Sequence, residues 1–425
     1  MGFTSWMQTS SACVHDWDFV PTSVIFGERS EKSSAEDVHL TPSQKLGVIP
    51  QEEYIEKTGT QVVKNRLGSD NMKRVMPGDF ISHLRSFQGG LEHSTISGKV
   101  SNAYTVLKPR REIEGKYYSY LFKSSRFIEG LANLTDQLRD GQTINFARLA
   151  LFSLPLPPLG IQRAIADYLD RETAEIDGMR ADLDEMERLL EERRSALIQR
   201  LIDQRIDADA TPMSIAVTGH LGGNGLVGGQ SSAGDGEIGI LKTSAISSGK
   251  FLPSQNRLVE AEQVEKVPTE HFVKSGDVLF NRLNSPEYVG SMSYVGETQT
   301  NLIFSDKIWR LFPGPQTDPK YLALWAKTPA YRKQVEFSIV GTSQSMQSLG
   351  YSTFQKFRVF LPSLAEQRRI ADEIDRETAE IDSMLEDITK LRDLLAERRA
   401  ALISAAVTGQ IDIPVSPTQK DEAHA

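Results

Sequence analysis

Asp170-Arg171-Glu172-Thr173-Ala174-Glu175-Ile176-Asp177 recurs, letter for letter, as Asp375-Arg376-Glu377-Thr378-Ala379-Glu380-Ile381-Asp382. The repeat extends well beyond this octet. A shift of 205 residues lays 157–198 on 362–403 without a gap, and 25 of these 42 positions are identical. Self-similarity of this length governs any reading of the fold. Each copy opens at a proline boundary, Leu156-Pro157-Pro158 and Leu361-Pro362-Ser363. Proline suits a helix start and disfavours helix in the residue before it. Each copy then runs on without Gly or Pro, except Gly160 and Gly178 in the first. The apolar spacing alternates three and four, through Ile176, Met179, Leu183, Met186, Leu190 and then Leu197. The second copy keeps phase with Ile381, Met384, Ile388, Leu391, Leu395 and then Leu402. That is the heptad seam of a coiled coil. At about 1.5 Å per residue, each copy makes a rod of roughly 60 Å. Both seams are interrupted at the same place, by Arg193 and Arg398. Arginines there either snorkel and pair at the end of the rod or, as Arg193, Arg194, Arg398 and Arg399, form docking charges for a partner.

The stretches between the helices echo each other more faintly. Met76-Pro77-Gly78-Asp79-Phe80-Ile81 matches Lys274-Ser275-Gly276-Asp277-Val278-Leu279, a turn followed by an apolar strand. Tyr117 to Phe122 matches Lys320 to Trp325 as an amphipathic helix, and Asp140 to Asn145 matches Val340 to Ser345 as a polar loop leading to a strand. The fold class is therefore mixed α/β (α+β): two globules joined by two long helices, an internal repeat with pseudo-twofold symmetry. Economy packs two helices with the same seam on each other, antiparallel. The boundaries expected are 1–155 for the first globule, 156–207 for the central helical region, 208–360 for the second globule, 361–413 for the C-terminal helical region and 414–425 for a disordered tail.

Composition sets the outer limits. The 425 residues exceed one ordinary domain. With 39% hydrophobic and 25% charged residues, and a net charge of −9, the chain is neither disordered nor a simple basic DNA-coating protein. The acidity is confined to the helices. Residues 1–155 carry 18 Lys/Arg against 17 Asp/Glu, and 208–360 carry 14 against 13; 156–207 carry 8 against 13, and 361–425 carry 8 against 14. No apolar run is long enough for a membrane span, and the start of the sequence lacks the pattern of a signal peptide. Cys13 is the only cysteine, so no internal disulfide forms and a cytoplasmic setting is expected.

Pseudo-twofold halves with similar supports and divergent heads suit a split, asymmetric DNA target, because half-site spacing follows the geometry of the protein. Here the helices carry a resemblance. The run Leu361-Pro362-Ser363-Leu364-Ala365-Glu366-Gln367-Arg368-Arg369-Ile370-Ala371, then Asp375 to Asp382, then Leu395-Ala396-Glu397-Arg398-Arg399-Ala400-Ala401-Leu402-Ile403 and Val407-Thr408-Gly409, closely resembles the helical region of type I restriction-modification specificity subunits. The first copy follows with Leu159-Gly160-Ile161-Gln162-Arg163, departing at Ile161 and at Asp203-Gln204, which stand in place of the Glu and of the Thr-Gly ending. The resemblance implies two target-recognition domains, one for each part of a bipartite site in double-stranded DNA. It also implies helices that set the spacing and dock two copies of the modification (methyltransferase) subunit, with a restriction subunit joining that core. S-adenosylmethionine and ATP with Mg would then belong to the partners, leaving this chain without a cofactor and without catalytic residues.

Bases are read by Arg, Lys, Asn, Gln and small hydroxyl residues. In the first globule such residues sit in three loops, as Arg85, Ser86 and Gln88, as Lys99, Ser101 and Asn102, and as Gln142 and Asn145. In the second they are Arg282, Asn284, Lys307, Thr342 and Gln344. Gly223-Asn224-Gly225-Leu226-Val227-Gly228 has dinucleotide-fingerprint spacing, but Gln230-Ser231-Ser232-Ala233-Gly234-Asp235-Gly236 follows where a helix would have to start, so a loop is expected. Asn284-Ser285-Pro286-Glu287-Tyr288 falls short of an amino-methyltransferase motif by one proline and reads as a turn. The seven histidines show no ligand spacing, so no metal site is expected. Two rival classes are weighed against DNA reading. An enzyme would need donor-binding or catalytic motifs, which are missing. A protein-only coiled-coil scaffold would not need divergent heads with Arg- and Asn-bearing loops.

Overall fold

Each globule is built around a turn that only glycine fits. Gly78 and Gly276 have φ of 91° and 90°, a left-handed backbone that other residues rarely adopt. The aspartate that follows each one closes the turn. Asp79 Oδ2 accepts from the Met76 amide at 2.7 Å, and Asp277 Oδ2 accepts from the Lys274 amide at 2.7 Å. The chain then enters a strand buried along its length. In this computed structural model the described residues are 17–60, 72–82, 90–133, 146–202, 210–297, 301–343 and 346–413. The chain divides into two units, residues 1–183 with 390–425, and residues 184–389.

In the first unit, β1 (Phe26–Glu28), β2 (Phe80–Ser82), β3 (Leu91–His93) and β4 (Val106–Pro109) form an antiparallel sheet in the order β1-β4-β2-β3. Helix α1 (Gly115–Lys123), capped by the Glu114 carboxylate on the Lys116 amide, and helix α2 (Ser125–Asn133) follow. Tyr118, Phe122 and Phe127 bury an aromatic core with Phe26 and Phe80, mostly in tilted and edge-to-face pairs.

The second unit repeats the plan. β5 (Val217–Gly222), β6 (Val278–Asn281), β8 (Met292–Tyr294) and β9 (Ile308–Pro313) form a sheet in the order β5-β9-β6-β8. Helices α3 (Pro319–Trp325) and α4 (Pro329–Glu336) start with Pro after an Asp318 and a Thr328 cap. Their core gathers Phe280, Trp309, Trp325, Tyr331 and Phe354. The amphipathic helices expected at 117–122 and 320–325 are both present. The second unit adds a three-stranded sheet in the order β7-β11-β10, from β7 (Leu283–Asn284), β10 (Val340–Ser343) and β11 (Met346–Ser348). The polar loop expected from 340 to 345 therefore begins as a strand, with 344–345 outside the described residues.

The repeat is structural as well as sequential. Long helices occupy Leu159–Leu201 and Leu364–Val407. The first core includes Ile165, Ala166 and Leu169 from the start of one helix and Ile403 from the end of the other. The second core includes Ile370, Ala371 and Ile374, and Ile198. These are the same positions shifted by 205. Within each unit the two helices run antiparallel, start beside end.

The buried seam differs in its middle from the heptad reading. Ile176, Leu190, Ile381 and Ile388 are buried, and Leu183, Leu197, Leu395 and Leu402 are half-buried. Met186, Met384 and Leu391 are exposed instead. Arg194 and Arg399 are half-buried, and Thr173 and Thr378 are buried. Residues spaced by seven, from Ile176 to Leu197 and from Ile381 to Leu402, keep to the buried side, whereas Met186, Met384 and Leu391, three residues farther along, lie outside it.

Candidate nucleic-acid interface

In the second unit the structure brings several of the expected DNA-reading residues together. The chain leaves β6 at Asn281, fully buried, whose Nδ2 donates to the Thr243 carbonyl at 3.3 Å and to Ser247 Oγ at 3.2 Å. Arg282 comes next. Its amide donates to the Lys307 carbonyl at 3.0 Å, which fixes the 305–307 turn beside it. Its guanidinium lies 5.7 Å from the centre of the Trp309 ring, and Nη1 donates to the Asp306 carbonyl at 3.1 Å. A cation stacked on an indole is restrained, so Arg282 is positioned beforehand. Asn284 is half-buried; Nδ2 donates to Ser247 Oγ at 3.1 Å, and Oδ1 accepts from the Ser285 amide at 2.8 Å. Lys307 is half-buried on the neighbouring turn. Thr342 lies in β10, and Gln344 is outside the described residues.

Two further residues stand next to this cluster: His220, which sequence reasoning passed over, and Gln347, which ends the polar stretch from Gly341 in which DNA-reading residues were expected. His220 on β5 packs its ring 4.0 Å from Tyr351 and 4.7 Å from Trp309. Burial, and then the nearby Arg282 cation, hold its pKa below the ordinary histidine value. Gln347 on β11 pairs directly with Asn284 on β7. The sequence marked its stretch, Gly341 to Gln347, through Thr342 and Gln344, but not this residue by itself. Arg310, by contrast, is committed to the fold: it pairs with Asp277 at 2.7 Å and donates to the carbonyls of Glu270 and Phe272.

The first unit gives a different account. Arg85, Ser86, Gln88, Gln142 and Asn145 all lie outside the described residues. Lys99 requires a correction. It lies in a strand, Gly98–Val100, not a loop, and is buried. Its Nζ donates to the carbonyls of Ala35 at 2.9 Å and Ser34 at 3.3 Å, so the ammonium is turned inward to close a loop rather than outward to a phosphate. Ser101 and Asn102 form the turn after that strand, with Asn102 exposed.

The arginines singled out on the helices divide into two kinds. Arg194 pairs with Glu191 at 2.9 Å and with Asp382 on the other helix. Arg399 approaches Asp177 at 3.6 Å. A shift of 205 turns one cross-helix pair into the other, so both join helix to helix. Arg193 and Arg398 are exposed. A second repeated feature is apolar. Met186 and Leu189 are 50% and 51% exposed, and their repeat partners Leu391 and Leu394 are 48% and 59% exposed. The Gly223–Gly228 stretch carries no helix; the Asn224 amide donates to the Phe304 carbonyl at 2.9 Å, as the loop reading expects. Asn284 ends β7, and Pro286 to Tyr288 form the expected turn, held by Arg332, whose Nη1 donates to the Val289 carbonyl at 2.8 Å. No helix among the described residues is long and apolar enough to cross a membrane.

Comparison with known proteins gives consistent results. The model of a family described as type I restriction modification DNA specificity domain matches residues 56–188 and again 235–391. The type I restriction enzyme EcoKI specificity subunit of Escherichia coli (strain K12) is 23% identical over 328 residues, covering 72% of this chain and 68% of that protein. The type I restriction enzyme StySPI specificity subunit of Salmonella potsdam is 26% identical over 188 residues, covering 42% of this chain and 37% of that protein. Among solved structures, a chain from work on complex assembly and conformational transition of the type I R-M system superimposes with a TM-score of 0.65. It is 14% identical and covers 95% of this chain and 100% of its own length.

Proposed function

The chain belongs to the type I restriction-modification DNA specificity family, and on that premise we propose that it reads a split target in double-stranded DNA, one half with each head. In this reading it is the non-catalytic recognition subunit of the assembly. The helices set the spacing between the half-sites and receive two copies of the modification subunit, and a restriction subunit joins that core. S-adenosylmethionine, and ATP with Mg, are held by those partners.

The observation that carries the reading is the doubled mount with unlike faces. Both heads use the same strand order and sit on the same positions of the two helices. They differ in sequence where the chain leaves the buried strand, Ser82-His83-Leu84-Arg85 in the first head against Phe280-Asn281-Arg282-Leu283 in the second, and in the second head Arg282, Asn284 and Lys307 gather there. Like supports with unlike readers suit two different half-sites. The exposed pairs Met186–Leu189 and Leu391–Leu394 favour docking of two like partners, because the same apolar feature occurs once on each helix. Docking through Arg194 and Arg399 is not retained, since both are engaged across the helix pair.

The test is co-expression with the neighbouring modification subunit, followed by genome-wide mapping of methylated adenines. A two-part, asymmetric motif seen only when both chains are present is the expected result. Absence of new methylation with a folded, bound partner would favour a protein-only scaffold.

A further inference from the structure

The sheet β7-β11-β10 stands beside Arg282, and its register decides which side chains share a face. Asn284 opposes Gln347, and Leu283 opposes Ser348. Directly opposed residues on antiparallel strands point to one side, with Cβ atoms about 5 Å apart. Arg282 precedes Asn284 by two residues, and its carbonyl accepts from the Leu349 amide at 3.0 Å, which carries the pairing one step further. Arg282, Asn284 and Gln347 therefore lie on the same face, and Leu283, Ser348 and Val340 on the other.

We infer that Gln347 is a base-reading residue of the second head, one that takes the edge of an adenine in the major groove; the inference rests on the recognition role proposed above. Asn284 already spends one N–H on Ser247 and one oxygen lone pair on the Ser285 amide, so its amide is held against the protein. The Gln347 amide has no partner among the described residues, although the backbone beneath it is fixed by pairing. A glutamine amide offers a donor and an acceptor side by side, which matches the N7 acceptor and N6 donor of adenine. A two-stranded ribbon is of a size that the major groove admits. Arg282, restrained on Trp309, sets a cation on the same face, placed for a phosphate or a neighbouring guanine.

The full chain, co-expressed with its modification partner, is compared with Gln347→Ala and Gln347→Glu by mapping the methylated motif and by measuring the affinity of each complex for duplexes that vary one base pair at a time. Gln347→Ala should loosen one position of one half-site, with discrimination there falling about 5- to 150-fold. Gln347→Glu should shift that position toward cytosine, whose N4 group donates to a carboxylate. Glutamate is nearly isosteric, so it keeps the test meaningful should the alanine complex fold poorly. A wild-type motif from both variants overturns the assignment and leaves the recognition role standing. Equal weakening at every position, with melting unchanged, overturns it too, by making Gln347 a sequence-blind contact. A wild-type complex with no two-part motif removes the recognition role and this inference together.

Discussion

Gln367 offers the sharpest test of how each head is held on its helix. The side chain is fully buried. Its Oε1 accepts from the Asp318 amide at 2.8 Å, and its Nε2 donates to the carbonyls of Gln316 at 2.9 Å and Pro362 at 2.8 Å. One amide thus ties the entry to α3 to the entry of the second long helix. In the first unit Gln162, 205 residues earlier, accepts from the Glu114 amide at 2.9 Å and donates to the Pro157 carbonyl at 2.8 Å. Gln367→Met keeps the length of the side chain and removes all three bonds, stranding backbone groups out of reach of water. At about 1 kcal/mol net per bond, the loss is about 3 kcal/mol, against about 2 kcal/mol for Gln162→Met. With an m-value of about 2 kcal/mol/M in urea, the second-unit midpoint should drop by about 1.5 M. Trp309 and Trp325 lie in that unit and Trp6 and Trp17 in the other, so tryptophan fluorescence in a Trp6→Phe, Trp17→Phe background reports its unfolding. A drop under about 0.3 M, comparable with a surface change, would refute the claim that this amide fastens head to helix.

Three further outcomes follow from the same structure. Exchanging charges in Arg194→Asp with Asp382→Arg should restore most of the stability that either single change removes, with a coupling of about 1 kcal/mol in a urea double-mutant cycle; additive losses would mean that the pair does not join the helices. Met186→Glu combined with Leu391→Glu should stop the modification subunit from co-eluting while altering stability by no more than about 0.5 kcal/mol, and undiminished co-elution would clear these positions of partner docking. Replacing residues 1–155 with those of a relative should alter one half of the methylated motif, and a change in both halves would defeat the modular reading.

The sequence made the plan legible because the plan is periodic. Helices betray themselves over many turns, and a second copy 205 residues on checks the first. The Gly-Asp turns were legible for a related reason: a positive φ leaves few residues to choose from. The middle of the helix seam was misread because the apolar residues Met186, Met384 and Leu391 keep heptad phase yet face outward. Composition alone does not distinguish an apolar residue facing a neighbouring helix from one facing outward. The reading face was less legible still. Lys99 and Arg282 look alike as basic residues in polar stretches, and only hydrogen bonding separates an inward ammonium from a guanidinium stacked on Trp309. Gln162 and Gln367 were visible as identical positions beside unlike neighbours, Ile161 and Glu366, but their role needed the distant partners Glu114 and Asp318.

The aspartate turns show how two heads keep one framework while their surroundings diverge. Asp79 is clamped by Arg29, with Nε and Nη2 donating at 2.6 and 2.9 Å, from the residue after β1. Asp277 meets Arg310 at 2.7 Å, from within β9. The carboxylate, the glycine before it and the strand after it are retained, whereas the arginine comes from different elements. Burial pushes the Asp277 carboxyl above its ordinary pKa, and the hydrogen bond from the Lys274 amide, followed by the Arg310 cation, opposes that shift. What the turn requires is therefore a cation within reach, not a particular strand to supply it. Such a constraint leaves the source of the cation free to change, while the retained strand after the turn, which in the second head ends at Asn281, leads directly into Arg282 and Asn284.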